Sequence, residues 1–389
     1  MLDYYNSNQI IPVHQSLPDT NFELFAYQRK KLYENLGIPL TLLENRNILE
    51  IGPGVGDNAR VLSACRPASL HLVDGNNESL KSLHEKIEKE QLSKHNTKIF
   101  STSAEEFSLP DEIGCSSSGG GGYDLVVCEG VINGNENPDN FLRIISKFVK
   151  KEGLLVITTV SPLGIVDQAL RRLYKVHAKK LFPEYQDQVN YLARVFSSHL
   201  EKLPTSKKIE DWVQDAILHP LSDDYIFSSK EAALTLLDDF AVIGSSPRLL
   251  IDFRWHKGLT LESKESLNFI SQFEKYEPIL VDQRLDNNNF NTDKVNEETR
   301  KNLDSVSRQI WKLSCLIWQQ DSFGLLFELK EHLELFKGLI NNYSNTTTVA
   351  IDEFVKNFQP ESNLAPSEMP SFAKWWGRGL SYVSFVRNS

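Results

Sequence analysis

From Asn47 to about Val160 the chain alternates short apolar runs with segments whose apolar positions recur every three or four residues. "NILEIG", "SLHLVDG", "TKIFSTS", "YDLVVCEGV" and "GLLVITTV" read as strands; "NARVLSAC", "ESLKSLHEKIEKEQL" and "NFLRIISKFVKK" read as helices. Strands alternating with helices imply right-handed crossovers and a parallel sheet covered on both faces. Largely apolar runs such as "LLVITTV" suit strands buried on two sides. Before this core, residues 1–46 hold an irregular arm and one helix, "NFELFAYQRKKLYENLG". Residues 161–238 form a helical block, and 239–260 return to β structure with "FAVIGSSP" and "LLIDFRWHKGL", read as the final strands of the core sheet. The block is then an insertion near the strand ends, a lid or substrate wall. Residues 261–389 read as a helical extension in which "RKNLDSVSRQIWKLSCLIWQQ" and "LLFELKEHLELFKGLI" can pair as a hairpin. The expected fold is α/β: a doubly wound, mostly parallel seven-stranded sheet with a helical insertion and a helical C-terminal extension.

Composition narrows the classes. The chain has 389 residues, 40% hydrophobic and 24% charged, enough to bury a sizeable core in more than one domain. A net charge of −10 argues against a broad phosphate-tracking surface and against a nucleic-acid acceptor. The four cysteines, Cys65, Cys115, Cys128 and Cys315, lie far apart without C-x-x-C spacing, so neither a zinc site nor a disulfide framework is expected. The start "MLDYYNSNQIIPVHQ" does not have the basic and apolar regions of a signal peptide, and no apolar run reaches transmembrane length. A cytoplasmic location is expected. "CSSSGGGG", Cys115 to Gly122, has nothing to pack with and reads as a mobile loop.

The chemistry is concentrated in "NILEIGPGVGDNARVL". Gly52, Gly54 and Gly56 follow the first strand, where ligands of a doubly wound sheet bind. A dinucleotide fingerprint spaces its glycines G-x-G-x-x-G so that pyrophosphate rests on the helix end. Here the spacing is G-P-G-V-G, with Glu50 before the first glycine and Asp57 after the third. Acids there disfavour phosphate and suit a cation, such as an amino-acid ammonium group. Asp74, ending "LHLVDG", can accept both hydroxyls of a ribose. The ligand should contain ribose and no pyrophosphate at the loop.

"ILEIGPGVG", "LHLVDG", "STSAEEF" and "YDLVVCEGVI" together resemble the successive motifs of class I S-adenosylmethionine-dependent methyltransferases. The resemblance covers residues 47–160 and implies a Rossmann-like core with S-adenosylmethionine as cofactor. It implies that Glu50, Gly52, Gly54 and Gly56 surround the methionine part, and that Asp74, Gly75 and Asn76 meet the ribose. It places Ser103, Ala104 and Glu105 at the adenine edge, and Glu129 and Gly130 facing the sulfonium and the acceptor. Two departures stand out. Ser103 occupies a position where the family often has aspartate, and Asn133 lies where many small-molecule members carry a histidine.

Glu129 and His199 are weak candidates for a base. His177, His219 and His256 are weaker. Arg248 in "SSPR" suits either an acidic substrate or a structural ion pair. Trp375, Trp376, Arg378, Tyr382 and Phe385 read first as packing for the C-terminal segment, and Trp311 and Trp318 as core or helix seam. The function implied is O- or N-methylation of a small molecule, glycan unit or peptide, with no metal, no membrane span and a homodimer left open. The alternatives are a non-catalytic scaffold using its C-terminal helices and, further off, a nicotinamide-dependent oxidoreductase. Deletion after about Leu261 is expected to separate scaffold from enzyme.

Overall fold

The computed structural model describes residues 6, 19–114, 121–200, 208–250, 254–259, 265–286, 288, 290–361 and 365–389. Most of the expected N-terminal arm and residues 115–120 of the expected glycine-rich loop lie outside the described residues.

β1 (Asn47–Ile51), β2 (Ser69–Asp74), β3 (Thr97–Ser101), β4 (Tyr123–Cys128), β5 (Val149–Val160), β6 (Phe240–Ser246) and β7 (Leu380–Arg387) form one sheet. Their order is β3–β2–β1–β4–β5–β7–β6. β1 runs parallel to β2 and β4, β2 to β3, and β4 to β5, whereas β7 is antiparallel to β6. The strand order reverses direction between β1 and β4, so a crevice opens past their carboxyl ends.

The interleaved helices are α1 (Asp19–Asn35), α2 (Asp57–Ala64), α3 (Asn77–Glu88), α4 (Asp111–Gly114) and α5 (Pro138–Ser146). Local chemistry sets their starts. Asn76 caps α3 by accepting from Ser79 N–H, and Asn137 caps α5 with Pro138 at its first position. Tyr33 of α1 and Leu36 just past its end, Ala59 and Leu62 of α2, and Leu83 of α3 pack with Ile48, Leu70, Leu72, Leu125, Val127 and Val156 from the strands. Each buried Leu, Ile or Val among them contributes about 1.5–3 kcal/mol by leaving water. This apolar layer fixes where the strand ends stand.

The chain divides into two compact units: residues 1–159, 227–273 and 381–389, and residues 160–226 and 274–380. The first contains the sheet but for one residue each of β5 and β7. The second is helical, with α6 (Val166–Arg172), α7 (Tyr174–Leu181), α8 (Tyr185–Leu200) and α9 (Ile209–Val213) from the insertion. After α10 (Ser229–Thr235) and α11 (Glu265–Tyr276) come α12 (Glu297–Gln320), α13 (Leu326–Ile340), α14 (Asn345–Asn357) and α15 (Pro370–Lys374). Insertion and extension share one core, in which Leu170, Tyr174, Leu192 and Phe196 join Ile310, Leu333, Phe336, Phe354 and Trp375. Within it, Trp311 and Trp318 donate their indole N–H to the carbonyls of Ser222 and Ile217 at 3.0 and 2.7 Å. Both are seam residues.

The described residues of "LLIDFRWHKGL" are not in the sheet: Arg254 to Leu259 form a bend and a short turn, with Trp255 67% exposed. Residues 251–253 lie outside the described residues. The last strand comes instead from "LSYVSFVR" at the C-terminus, where Val383 and Phe385 are fully buried. A strand lying between two others needs buried apolar side chains, and the 254–259 segment offers Arg254, His256 and Lys257 instead. Ser384 Oγ–H also donates to the Leu36 carbonyl at 2.6 Å, tying β7 to the end of α1. Deletion after about Leu261 therefore removes a strand from the sheet and cannot isolate the role of the extension.

Phe385→Ala should cost about 3–5 kcal/mol of stability, as for other fully buried phenylalanines. Urea unfolding of wild type and variant measures it; a loss below about 1 kcal/mol would contradict the burial of β7.

Candidate functional site

Three strand ends make the site: those of β1, β2 and β4, side by side in the sheet. Past β1 the chain turns through glycines that cannot be replaced without strain. Gly52 has φ +68°, and a Cβ there would run into the Val131 side chain. Gly56 caps α2 with φ +81°, and a Cβ would lie 2.6 Å from Leu83 Cδ2. Asp57, the first residue of α2, forms a salt bridge with Lys86 at 3.3 Å. It is therefore not presented as a bare negative charge, and its expected part in excluding phosphate falls to the glycine spacing.

Asp74 ties the loop to β2. Its Oδ2 accepts from Gly54 N–H at 3.3 Å and its Oδ1 from Asn76 N–H at 2.8 Å. Burial raises its pKa and these N–H groups pull it back. The Ser79 hydroxyl and the Gly75 N–H pull in the same direction. The Asn76 side chain is occupied in capping α3, with Gly75 half-buried between them. After β3, Ser103 Oγ accepts from Glu106 N–H at 3.3 Å in a tight turn; Ala104 is buried and Glu105 exposed.

Glu50 is the most constrained acid. It is 4% exposed, and its Oε1 accepts from Asn58 Nδ2–H at 2.8 Å. Among the described residues its Oε2 is buried with no partner. Burial raises its pKa to about 7, the Asn58 donor and Arg29 opposing, Glu129 and Asp74 adding. A half-satisfied buried carboxylate is costly, and a cationic donor at Oε2 would remove the cost.

Glu129 follows β4 and is gripped by Arg29 of α1. Arg29 Nη1 donates to Oε2 at 2.9 Å and Nη2 to Oε1. Beside it, Gly130 takes φ +72° and donates its N–H to Thr158 Oγ1 at 2.6 Å. Tyr33 OH accepts from Arg29 Nη2 at 3.4 Å and from Asn58 Nδ2 at 3.3 Å. The chain Glu129–Arg29–Tyr33–Asn58–Glu50 thus runs without a break. Sequence reasoning missed Arg29, Tyr33 and Asn58. The available signal was a cation on the apolar stripe of α1, since Arg29, Tyr33 and, just past the helix, Leu36 are spaced four and three apart and all buried.

Asn133, where a histidine was looked for, is buried and donates to the Phe227 carbonyl at 3.3 Å. His199 lies in the helical unit. Its Nε2 accepts from buried Arg171 at 3.2 Å and its ring stacks on Trp376 at 4.8 Å. Burial and then Arg171 lower its pKa to about 3, so it is a packing residue and a poor base at neutral pH. His177 and His219 are likewise buried and lowered, to about 4 and 3. Arg248 donates to the Glu34 carbonyl at 3.4 Å rather than to an acid. Arg378 donates to the carbonyls of Ile279, Leu285 and Gln283, and Trp375 to that of Val281, so both tie down the C-terminal segment. Among the described residues, no cluster of three acids, histidines or cysteines could hold a metal, and no helix is long and apolar enough to cross a membrane.

Residues 25–218 match the family model of a methyltransferase domain. The matched region thus carries a methyltransferase domain. No curated protein matches it by sequence. Among solved structures it is similar to an S-adenosylmethionine-dependent methyltransferase from Mesorhizobium loti, at 14% identity and TM-score 0.26, covering 32% of this chain and 51% of that one. It is also similar to the N-methyltransferase NodS from Bradyrhizobium japonicum, at 18% identity and TM-score 0.29, covering 38% and 74%. A third is magnesium protoporphyrin IX methyltransferase from Synechocystis, solved with bound SAH, at 12% identity and TM-score 0.36, covering 62% and 89%. The chain thus spans about half the length of the first of these proteins. The domain assignment rests on the family-model match.

Glu50 gives a signed pH prediction. Its folded pKa lies above the unfolded value, so the folded state holds more protons between about 4.5 and 7. Stability should fall as pH rises through that window, by on the order of 3 kcal/mol in total. Glu50→Gln should abolish that loss, so urea midpoints of variant and wild type diverge from pH 5 to pH 8. A constant difference across that range would contradict the buried, half-satisfied carboxyl.

Proposed function

We propose that the chain is an S-adenosylmethionine-dependent methyltransferase acting on a small molecule, glycan unit or peptide, at oxygen or nitrogen. The observation that carries the cofactor reading is the unpartnered, buried Oε2 of Glu50 beside the glycine turn. An amino-acid ammonium group supplies the charge-assisted donor that this oxygen is missing. Asp74, already oriented by Gly54 and Asn76, would accept the ribose hydroxyls. Gly52 and Gly54 would let the backbone approach the methionine portion, with Ser103, Ala104 and Glu105 along the adenine edge. Glu129 and Gly130 would border the reacting end.

When bound, the cofactor would supply a methyl group on a sulfonium, with the neutral thioether as leaving group. What this chain contributes is chiefly alignment of the two reactants. Glu129, engaged by both Nη groups of Arg29, is poorly placed to take a proton. An acceptor that arrives with its lone pair free, such as a neutral amine or a carboxylate, suits this site better than an unactivated hydroxyl.

Incubation with methyl-labelled S-adenosylmethionine and fractionated cell extract tests the reading. Label should enter one pool of small molecules, glycans or peptides, and Asp74→Ala should cut both the label and cofactor affinity, the latter by about 1–3 kcal/mol. S-adenosylhomocysteine binding that is unchanged in Asp74→Ala by calorimetry would remove Asp74 from the site. No binding of either ligand would leave the non-catalytic scaffold.

A further inference from the structure

Tryptophan N–H groups single out one place in the helical unit, which holds Trp212, Trp311, Trp318, Trp375 and Trp376. Three of these donate to a backbone carbonyl: Trp311 to Ser222, Trp318 to Ile217 and Trp375 to Val281. Trp212 and Trp376 are half-buried, and their N–H groups have no acceptor among the described residues. A sheltered indole N–H normally finds one. Both rings line the same cavity, of about 220 Å³, together with Tyr225 and Gln168. The half-buried side-chain amide of Gln168 likewise has no partner among the described residues.

The walls of this cavity are held in place by the protein itself. Arg171 lies over the Trp376 ring at 3.9 Å, and His199 stacks on it at 4.8 Å. Arg171 is fixed in turn by Asp167 at 2.8 Å and by the carbonyls of Phe372 and Trp375. Tyr225 stacks on Trp311 at 5.4 Å. Gly164 and Gly377 bring two backbones into contact, since a Cβ on Gly377 would fall 2.1 Å from the Gly164 carbonyl oxygen. Walls ordered beforehand lose little binding energy when a ligand enters. Asp167 carries the one carboxylate among the described lining residues, and Arg171 neutralises it. The lining therefore has no uncompensated charge to draw in an ion. Its volume is below the roughly 300–1,000 Å³ of pockets for drug-sized ligands, which suits a single ring with its substituents. The unmet N–H groups come from α6, α9 and the segment after α15, so the ring needs acceptor oxygens around its perimeter.

We infer that this cavity binds one neutral pyranose unit, with a C–H face against the aromatic walls and hydroxyl oxygens accepting from Trp212, Trp376 and Gln168. The inference goes beyond the methyl-transfer reading and does not depend on it.

The test is an NMR titration of the full chain, without cofactor, with methyl glucoside, methyl galactoside and methyl mannoside. At least one sugar should shift the indole N–H signals of Trp212 and Trp376, each identified by its Trp→Phe variant, and leave those of Trp311, Trp318 and Trp375 in place. Gln168→Leu and Trp212→Phe should each weaken that sugar at least fivefold, the first losing the amide and the second the N–H. Should Trp212→Phe unfold, Gln168→Leu still decides. Cyclohexylmethanol, a ring with a single hydroxyl, should bind at least fivefold more weakly than the sugar. No shift with any of the three sugars, equal binding of cyclohexylmethanol, or unchanged affinity in either variant would overturn the inference. Each of these results leaves the reading of Glu50 and Asp74 as it stands, because no cofactor is present.

Discussion

A carboxylate with one oxygen left bare in the protein interior is the constraint from which the rest of this site follows. Glu50 stands at the end of β1 with β2 and β4 on either side, so no water reaches it freely. Burying it this way opposes folding, and the apolar layer of α1, α2, α3 and the strands must offset the cost. On the proposed reading a cation at Oε2 would offset that cost, and stability given up in the free protein would reappear as affinity for a positively charged ligand.

The same constraint arranges its neighbours. Asn58 satisfies one oxygen and is itself held against Tyr33; Tyr33 contacts Arg29; Arg29 holds Glu129 beyond the adjacent strand. Removing any member would leave a buried polar group unpaired, so the cluster behaves as a unit. Glu129 reads accordingly as part of an ion pair, and this shifts the chemistry toward alignment and away from proton removal.

Much of this was legible in the chain. The strand–glycine–helix order, Glu50 before the turn, and Asp74 at the end of "LHLVDG" are local patterns, and local patterns survive in sequence. What was not legible is non-local. β7 lies more than 130 residues from its partner β6, and nothing near Phe240 announces "LSYVSFVR". "LLIDFRWHKGL" was the nearer apolar run, and proximity favoured it. The Arg29–Glu129 pair spans 100 residues, so neither residue signals the other. The salt bridge of Asp57 with Lys86 changed what an acid beside the turn means, because a paired charge is not a bare one. Likewise the insertion and the C-terminal helices read as separate appendages, although Phe196 and Phe336 belong to a single buried core.

The most direct test of the central claim is a count of protons. A cationic ligand end seated at Glu50 must drive the carboxyl to its ionised form, and so it releases whatever proton Glu50 holds. Titrating S-adenosylhomocysteine calorimetrically at pH 6, in buffers of different ionisation enthalpy, gives that number. With a carboxyl at about 7, close to one proton should leave per ligand bound, and none from Glu50→Gln. Binding without proton release in the wild-type protein would mean that Glu50 is not where the ammonium goes.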